Sequence, residues 1–240
     1  MTKENILKRL RRVLRIVGRV LLFGSALVIA ILVAAHFAWK YSGSKEWKLE
    51  LDKNGVQVYS LKAPGSTLKR FKAVRRVKTT LNRAVAEMIS TDLEDCAEWM
   101  GAKCVIETIQ PWNPQEMYHI HLFRINYPSP FSPREFILKV QVSQDPQTKA
   151  VLVKFDSVPD KLPRNECCLR VEYMHNSWRF TPLENGEVEA ELQMNMDEGL
   201  PYFLVNRFIP GSLYEGFSVL ERRYNREKWL NAKLDLVKEQ

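Results

Sequence analysis

The sequence contains little of what most catalytic and metal-binding proteins require. Its 240 residues include 4 His and 4 Cys. They contain no G-x-S-x-G elbow, no H-E-x-x-H pair and no glycine-rich phosphate loop. Glycine (10) and proline (12) are too few for a collagen-like or low-complexity chain. With 45% hydrophobic and 27% charged residues, the composition is that of a globular protein and excludes intrinsic disorder.

Positive charge is concentrated at the N-terminus. The chain has a net charge of +8, but residues 1–40 contain eight Lys or Arg and a single acid, Glu4. Residues 41–240 therefore hold 28 basic against 27 acidic residues. A nucleic-acid-binding domain needs a basic face, so the neutral body of the chain predicts no nucleic-acid partner.

An uncharged segment follows the basic tail of residues 1–19. Residues 20–39 carry no formal charge, and as a helix they span about 30 Å, the thickness of the hydrocarbon core of a bilayer. A cleaved signal peptide also has a basic start, but its apolar region is only about 7–15 residues long and ends in small residues. We therefore predict a transmembrane signal anchor, with a cleaved signal and a secreted form as the alternative.

The charges that flank the span predict its orientation. Seven Lys or Arg precede it and few follow it, so we expect residues 1–19 in the cytoplasm and the domain exported, in the periplasm or another extracytoplasmic space. The basic tail should also bind anionic head groups of the membrane. Residues 40–46 form a short tether, and residues 47–240 are enough for one domain with a sizeable core.

The four cysteines would meet an oxidising compartment in this topology. Cys96 and Cys104 are close enough in sequence to close a short loop, whereas a bridge between the neighbours Cys167 and Cys168 is geometrically strained. None of the spacings is the C-x-x-C pair typical of zinc or redox sites. Disulfides and packed free thiols both stay open as interpretations.

Alternating residues and turn signals predict a mostly antiparallel domain. Strands are predicted at 56–59 and 67–77, ahead of one helix that begins after Thr79 or Thr80 and a second over 92–100. Further alternating runs lie at 103–109, 116–126, 135–143, 150–157, 168–180 and 187–196. From Pro201 the period becomes helical, with a break or kink expected at Pro210-Gly211 and a long amphipathic helix over about 213–238. The predicted fold class is α+β, with a curved antiparallel sheet wrapped around that C-terminal helix.

Four parts of the sequence resemble, in order, the StAR-related lipid-transfer (START) family. They are WKL and KNGVQVY within 47–59, YPSPFSPREF at 127–136, SWRFTP at 177–182 and DEGLPYFLVN at 197–206. These are similar to the opening of the family's domain, its Pro-x-Pro…Arg-Asp-Phe loop, its Ser-Trp-x-Phe segment and its entry to the last helix. The sequence departs from the family at Glu135, where the family has Asp, and at Glu198, where it has Pro, and one Gly of the last motif is missing.

The resemblance implies a helix-grip fold, an incomplete antiparallel barrel that the C-terminal helix closes around an apolar cavity. Family members bind lipids or other hydrophobic molecules and perform no chemistry on them. It therefore implies a membrane-anchored lipid-binding or lipid-transfer protein with no cofactor, catalytic residue or metal. Two alternatives stay open: an enzyme of the same superfold, such as an aromatase or cyclase, and an interaction domain whose cavity is filled by its own side chains. We prefer the carrier because inward-facing acid and base groups, which an enzyme needs, are scarce.

Strand parity predicts the apolar lining of the cavity, because residues two apart on a strand share a face. The expected lining residues on strands are Phe123, Ile125, Leu138, Val140, Trp178 and Phe180. Those expected on the C-terminal helix are Leu213, Phe217 and Leu220.

Two polar residues are also expected at the cavity. His121 has the parity of Phe123, so it is expected as a polar contact inside. A metal pair with His119 is the alternative, but two ligands make no site without a third group. Arg134 is expected either to face the ligand or to be structural, because a buried guanidinium must be paired. Sterol-binding family members carry a further cavity arginine at the position of Val140, so the resemblance implies that this anchor is absent.

Overall fold

The computed structural model describes residues 3–93, 96 and 103–239. The second helix predicted over 92–100 lies mostly outside the described residues. The chain divides into two compact units. One contains Met1–Lys45 and Lys62–Thr67, and the other contains Glu46–Leu61 and Leu68–Gln240.

A single long helix dominates the N-terminal unit. Helix α1 covers Lys3–Tyr41, and its part from Arg12 to Tyr41 is long and apolar enough to cross a membrane. Apolar side chains are exposed on all its sides, with Leu21 67% and Phe23 68% exposed. A helix that is apolar all round is normally covered by protein or by lipid. This helix therefore has the properties of a membrane anchor, and a signal sequence near an N-terminus has the same properties.

The C-terminal end of α1 is held by residues 62–67 of the same unit. The Lys62 ammonium donates to the carbonyl oxygens of Lys40 (3.3 Å) and Ser42 (3.1 Å), where the helix end leaves carbonyls without a helical partner. At Gly43, φ is +106°, and an added Cβ would lie 2.1 Å from the Lys62 carbonyl oxygen. Only glycine fits this approach.

The second unit is built on an eleven-stranded sheet, counted over the described residues. In chain order the strands are β1 Lys48–Lys53, β2 Val56–Leu61, β3 Arg70–Lys78, β4 Cys104–Asn113, β5 Tyr118–Ile125, β6 Arg134–Gln144, β7 Val151–Ser157, β8 Leu169–Arg170, β9 Tyr173–Pro182, β10 Glu187–Met194 and β11 Met196–Asp197. Across the sheet the order is β1-β2-β3-β10-β9-β7-β6-β5-β4, and each of these neighbours is antiparallel. The short β8 pairs in parallel with β6, and β11 pairs with β9.

The strands form where apolar and polar residues alternate. In β2, Val56, Val58 and Ser60 are buried while the residues between them are half-buried. Asn54 and Gly55, with φ of +51° and +74°, make the turn from β1 into β2, as expected for a two-residue hairpin turn. Each predicted alternating run overlaps an observed strand, although the last two runs are each divided between two strands.

The helices of the second unit agree with the predictions only in part. Helix α2 covers Leu81–Met88, as expected after Thr80. Helix α3 covers Tyr202–Ser218 and α4 covers Leu220–Tyr224, followed by one 3₁₀ turn at Glu227–Trp229. The predicted long helix thus begins and ends earlier than expected.

A break or a kink was predicted at Pro210, and helix α3 is not broken there but continues through it. Hydrogen bonds hold the helix to the sheet on both sides of this residue. The Asn206 side-chain oxygen accepts from Lys69 N at 2.9 Å, and the Phe217 carbonyl accepts from the Arg75 guanidinium at 2.5 Å. Packing against the sheet therefore outweighs the helical hydrogen bond that proline cannot donate.

The residues after the 3₁₀ turn form an irregular tail, although helix was predicted as far as 238. The tail reaches the first turn of α2, where the Glu239 carboxylate accepts from the backbone nitrogens of Leu81 (3.1 Å) and Asn82 (2.8 Å). These amides have no partner within α2. Val237, whose spacing suggested a helix, is instead buried in the core as part of this tail.

Both cysteine pairs form disulfide bonds. Cys96 and Cys104 have Cα atoms 6.0 Å apart, and their bond links the start of β4 to the segment after α2. Cys167 and Cys168, adjacent in sequence, form the second bond. Of the two interpretations left open by the sequence, the structure has the disulfides.

The main core lies between the sheet and helices α2, α3 and α4. Ala73 on β3, Phe180 on β9 and Phe217 on α3 belong to it. A smaller apolar cluster of Ile120, Leu122 and Ile137 covers the other face of β5 and β6, so both faces of β5 are buried. The predicted α+β fold, a curved antiparallel sheet with a C-terminal helix and an N-terminal apolar helix, is confirmed.

Candidate ligand-binding cavity

The second unit contains a cavity of about 600 Å³, partly open to solvent, between the sheet and helix α3. This volume lies within the range of about 300–1,000 Å³ that is typical of small-molecule sites. The large apolar side chains that line it are Met88, Ile106, Phe123, Ile125, Phe131, Phe136, Leu138, Phe155, Met174, Trp178, Leu192, Met194, Met196, Leu200, Leu204, Val205, Phe208, Ile209, Leu213 and Phe217. The polar side chains are Glu87, Ser90, Tyr127, Asn176, Glu198 and Ser212.

Six of the expected cavity residues are part of this lining. They are Phe123, Ile125, Leu138, Trp178, Leu213 and Phe217. The ring of Trp178 stacks on that of Phe217 with centroids 5.2 Å apart, which joins the sheet wall to the helix wall.

The other five expected residues lie outside the lining. They are His121, Arg134, Val140, Phe180 and Leu220. Val140 and Leu220 are fully packed in the core, and the ring of Phe180 contacts Tyr224 with centroids 6.1 Å apart. Their strands and helix extend past the cavity, so residues of the correct parity meet packed core instead.

His121 and His119 form a buried pair next to the cavity. Their ring centroids are 4.0 Å apart, and His121 Nδ1 lies 3.4 Å from the Thr108 hydroxyl. Burial lowers the pKa of both imidazoles, and together with the nearby His121 it lowers the pKa of His119 to about 4. Among the described residues, no group of three His, Cys, Asp or Glu could hold a metal ion.

Arg134 is buried and bound to the backbone. Its Nε donates to the Glu198 carbonyl at 2.6 Å, and its terminal nitrogens donate to the carbonyls of Gly199 (3.4 Å) and Ser132. The guanidinium thereby fastens the start of β6 to the segment that leads into α3.

A tyrosine and a glutamate form the polar part of the wall where β5 ends. The Tyr127 hydroxyl donates to Oε2 of Glu198, and the Arg134 guanidinium lies 5.2 Å from the Tyr127 ring centroid. Burial and the neighbouring Glu198 charge raise the pKa of Tyr127 well above its ordinary value. Burial also raises the pKa of Glu198, although the hydrogen bond from Tyr127 and the charge of Arg134 oppose this.

A second carboxylate of the lining is held by an ion pair. Glu87 Oε1 accepts from Arg223 Nε at 2.7 Å, and both side chains are almost fully buried. The neighbouring Tyr224 hydroxyl is also buried, and its burial and the Glu87 charge raise the pKa of Tyr224 well above its ordinary value. The Glu87 charge is therefore compensated from inside the protein.

The family model of the START domain matches residues 33–229, most of the chain. The chain belongs to the START-domain family. This confirms the resemblance that the four sequence segments indicated.

Solved START structures have the same fold. A STAR-related lipid transfer protein from Xanthomonas axonopodis superposes with a TM-score of 0.65 at 21% identity, over 75% of this chain and 99% of that one. Human StAR-related lipid transfer protein 5 gives 0.63 at 18% identity, over 84% of this chain and 97% of that one. An uncharacterized protein of Pseudomonas aeruginosa is 23% identical over 184 residues, 75% of this chain and 88% of its own length.

The polar residues that line the START cavity were not predicted from the sequence. Tyr127 and Glu198 lie in two of the START-like segments, but nothing in their spacing shows that they meet across 71 positions of sequence. Glu87 lies on the short helix α2, and no sequence pattern marked it as a cavity residue. One available signal was the departure at Glu198, which places an ionisable residue where the START motif has Pro.

Proposed function

We propose that this START protein is anchored in a membrane and binds or transfers a lipid or another hydrophobic molecule in its cavity, without performing chemistry on it. The observation that carries the proposal is the cavity of about 600 Å³ with its apolar lining. An interior of this size supports a bound ligand over an interaction domain whose cavity is filled by its own side chains.

The ionisable groups at the cavity support binding over cyclase or aromatase chemistry. A catalytic acid or base has to reach the reacting atoms. His119 and His121 lie outside the described lining, and Glu87 is taken up by Arg223. Glu198 and Tyr127 face the cavity but are hydrogen-bonded to each other. This arrangement is suited to holding a polar group of a ligand.

We further propose the domain organisation expected from the sequence. Residues 1–19 would be a basic cytoplasmic tail, 20–39 the anchor, 40–46 the connection and 47–240 the exported lipid-binding domain. The all-round apolar exposure of α1 supports a lipid-embedded segment.

Photo-crosslinking in vesicles tests ligand binding with the full chain. The protein is reconstituted in phosphatidylcholine vesicles that contain a trace of a 16-carbon probe with a diazirine in its alkyl chain. After illumination and digestion, we expect crosslinks on two sets of peptides. One set comes from α1, which contacts the bilayer, and the other comes from β5, β6 and α3, which line the cavity.

Two tryptophan variants of β4 make the test specific for the cavity. Ile106 lines the cavity, whereas its neighbour Val105 is 45% exposed on the opposite face of the strand. In Ile106→Trp the larger indole ring should fill part of the cavity and exclude the probe from it. We expect the crosslinks to cavity peptides to fall at least about fivefold relative to those on α1. Val105→Trp is the matched control and should leave them unchanged. Crosslinks confined to α1, or equal in both variants, would contradict the proposed function.

A further inference from the structure

The charges on the cavity wall restrict the polar end of a ligand. Among the described lining residues, Glu87 and Glu198 are the charged types, and none of these residues is Lys, Arg or His. A phosphate, sulfate or carboxylate inside would lose its hydration without meeting a cationic side chain of the described wall. Burying an unpaired anion is very costly. The described wall is therefore unfavourable for an anionic end group.

The Tyr127–Glu198 pair offers hydrogen bonds of both kinds. Tyr127 uses its proton on Oε2 of Glu198, so its oxygen keeps lone pairs that can accept. The carboxyl group keeps a second oxygen, Oε1, which accepts when ionised and can donate when protonated. A hydroxyl group, which both donates and accepts, can join such a pair and satisfy both partners.

Arg134 disfavours a cationic end group at the same place. Its guanidinium lies 5.2 Å from the Tyr127 ring centroid and donates to the Glu198 carbonyl. A second cation beside Glu198 would be repelled by this fixed positive charge. Arg134 itself is outside the described lining, and its donors are directed at backbone carbonyls, so it gives an anion no direct partner either.

We propose that Tyr127 and Glu198 anchor the polar end of the ligand, and that they select an apolar molecule ending in an uncharged hydroxyl group. The inference rests on the proposed function, because it names the chemical class that the cavity would take. Burial raises the pKa of Tyr127, so its hydroxyl keeps the proton that it donates to Glu198.

A set of three end groups on one probe tests this selectivity in the wild-type chain. Hexadecanol, hexadecyl sulfate and hexadecyltrimethylammonium, each with the same diazirine in the chain, are compared in vesicles by the ratio of cavity to α1 crosslinks. The α1 crosslinks correct for the amount of each probe in the bilayer. We expect the ratio of cavity to α1 crosslinks to be about tenfold higher for the alcohol than for either charged probe. This difference corresponds to roughly one charge-assisted hydrogen bond. Equal ratios, or a preference for either charged probe, would overturn the inference.

Conservative variants assign the selectivity to the two residues. Glu198→Gln keeps the size and the hydrogen bonds of the side chain but removes the ionisable group. The cavity crosslinks of the sulfate probe should therefore rise at least about threefold relative to those of the alcohol. Tyr127→Phe should reduce the alcohol signal about three- to tenfold. Tyr118→Phe is the matched control. Like Tyr127, Tyr118 has a hydrogen-bonded hydroxyl, which accepts from Gln110, and a cation over its ring, which is Lys139. Unlike Tyr127, it is outside the described lining.

The outcomes separate this inference from the proposed function. The proposed selectivity is wrong if all three probes crosslink equally to cavity peptides. It is also wrong if the crosslink ratios of Glu198→Gln and Tyr127→Phe lie within twofold of wild type. In both cases the proposal of ligand binding stands. If none of the probes crosslinks to cavity peptides, both proposals fail. The wild-type comparison needs no variant, so a folding defect in a variant does not remove the test.

Discussion

Glu135 is the centre of a buried charge network on the face of β6 that points away from the cavity. Its Oε1 accepts from Arg170 Nε at 2.8 Å and its Oε2 from Arg124 Nε at 2.7 Å. Burial alone would raise the pKa of Glu135, but the hydrogen bonds from both guanidinium groups lower it below the ordinary value. Arg170 also donates to the carbonyls of Leu162 and Pro163, so the network fixes the loop before β8.

Replacing this carboxylate should destabilise the whole domain. Glu135→Gln leaves the buried Arg170 guanidinium without a charge partner, which typically costs about 3–5 kcal/mol. We expect the Tm of the full chain in detergent to fall by about 10 °C, measured by tryptophan fluorescence. Glu189→Gln breaks an exposed pair with Arg76 and should cost at most about 1 kcal/mol. Similar shifts for the two variants would show that the network around Glu135 adds no particular stability.

Single residues also show how far strand parity predicts the cavity. Alternation identifies the face on which Phe123 and Trp178 lie, and both line the cavity. His121 and Phe180 share that face but lie one step further along their strands, where the Thr108 and Tyr224 side chains fill the space. Parity gives the face of a strand. It does not give the point along the strand at which a cavity changes into packed core, because that depends on elements distant in sequence.

At the scale of elements, helix α2 depends on the last residues of the chain. Thr80 accepts from Arg83 N at 3.3 Å as its N-cap. The Glu239 carboxylate takes up two further amides of the first turn and also accepts from the Asn82 side chain at 2.7 Å. A negative charge at a helix N-terminus is stabilised by the free amides and by the helix dipole.

Neutralising this cap should loosen α2 more than the rest of the domain. Glu239→Gln keeps one oxygen acceptor but loses the charge, so we expect a loss of about 1–2 kcal/mol. Hydrogen exchange of amides in the Leu81–Met88 peptide should become several-fold faster, because opening of the first turn becomes easier. Glu227→Gln, which changes an exposed acid in the nearby 3₁₀ turn, should leave α2 exchange unchanged. Equal exchange of α2 in wild type and Glu239→Gln would contradict the capping role.

The elements themselves were predictable where the pattern is local. Alternation indicated the strands other than β1, and the polar residues Thr79 and Thr80 marked the start of α2. The spacing of Leu230, Leu234 and Val237 suggested a helix. These residues instead belong to the irregular tail, in which Leu234 N donates to the Asn82 side chain of α2 and Lys238 N donates to the Gln144 side chain. Pro210 suggested a break or a kink, and contacts with the sheet keep the helix unbroken. In both cases distant contacts, which a local pattern does not contain, decide the outcome.

At the scale of the whole molecule, the chain combines two independent properties. One is the START fold, whose four sequence segments were recognisable in order. Three of them surround a turn, a strand start or a helix entry, and the fourth, SWRFTP, lies within β9. The other is the N-terminal helix, which exposes apolar side chains on all its sides and is long enough to cross a membrane. The proposal of a membrane-anchored lipid-binding protein joins these two properties.

The proposed topology is tested by reporter fusions to the full chain in a Gram-negative bacterial host. Seven Lys or Arg before the span favour a cytoplasmic N-terminus. We therefore expect alkaline phosphatase fused after Gln240 to be active, and green fluorescent protein fused there to be dark. Replacing Arg9, Arg11, Arg12 and Arg15 with Gln removes most of the charge difference, so phosphatase activity per molecule should fall several-fold. Inactive phosphatase on the unmodified chain would overturn the topology. Recovery of a mature protein that starts near Tyr41 would instead show that the segment is a cleaved signal, and the domain would then act as a secreted protein.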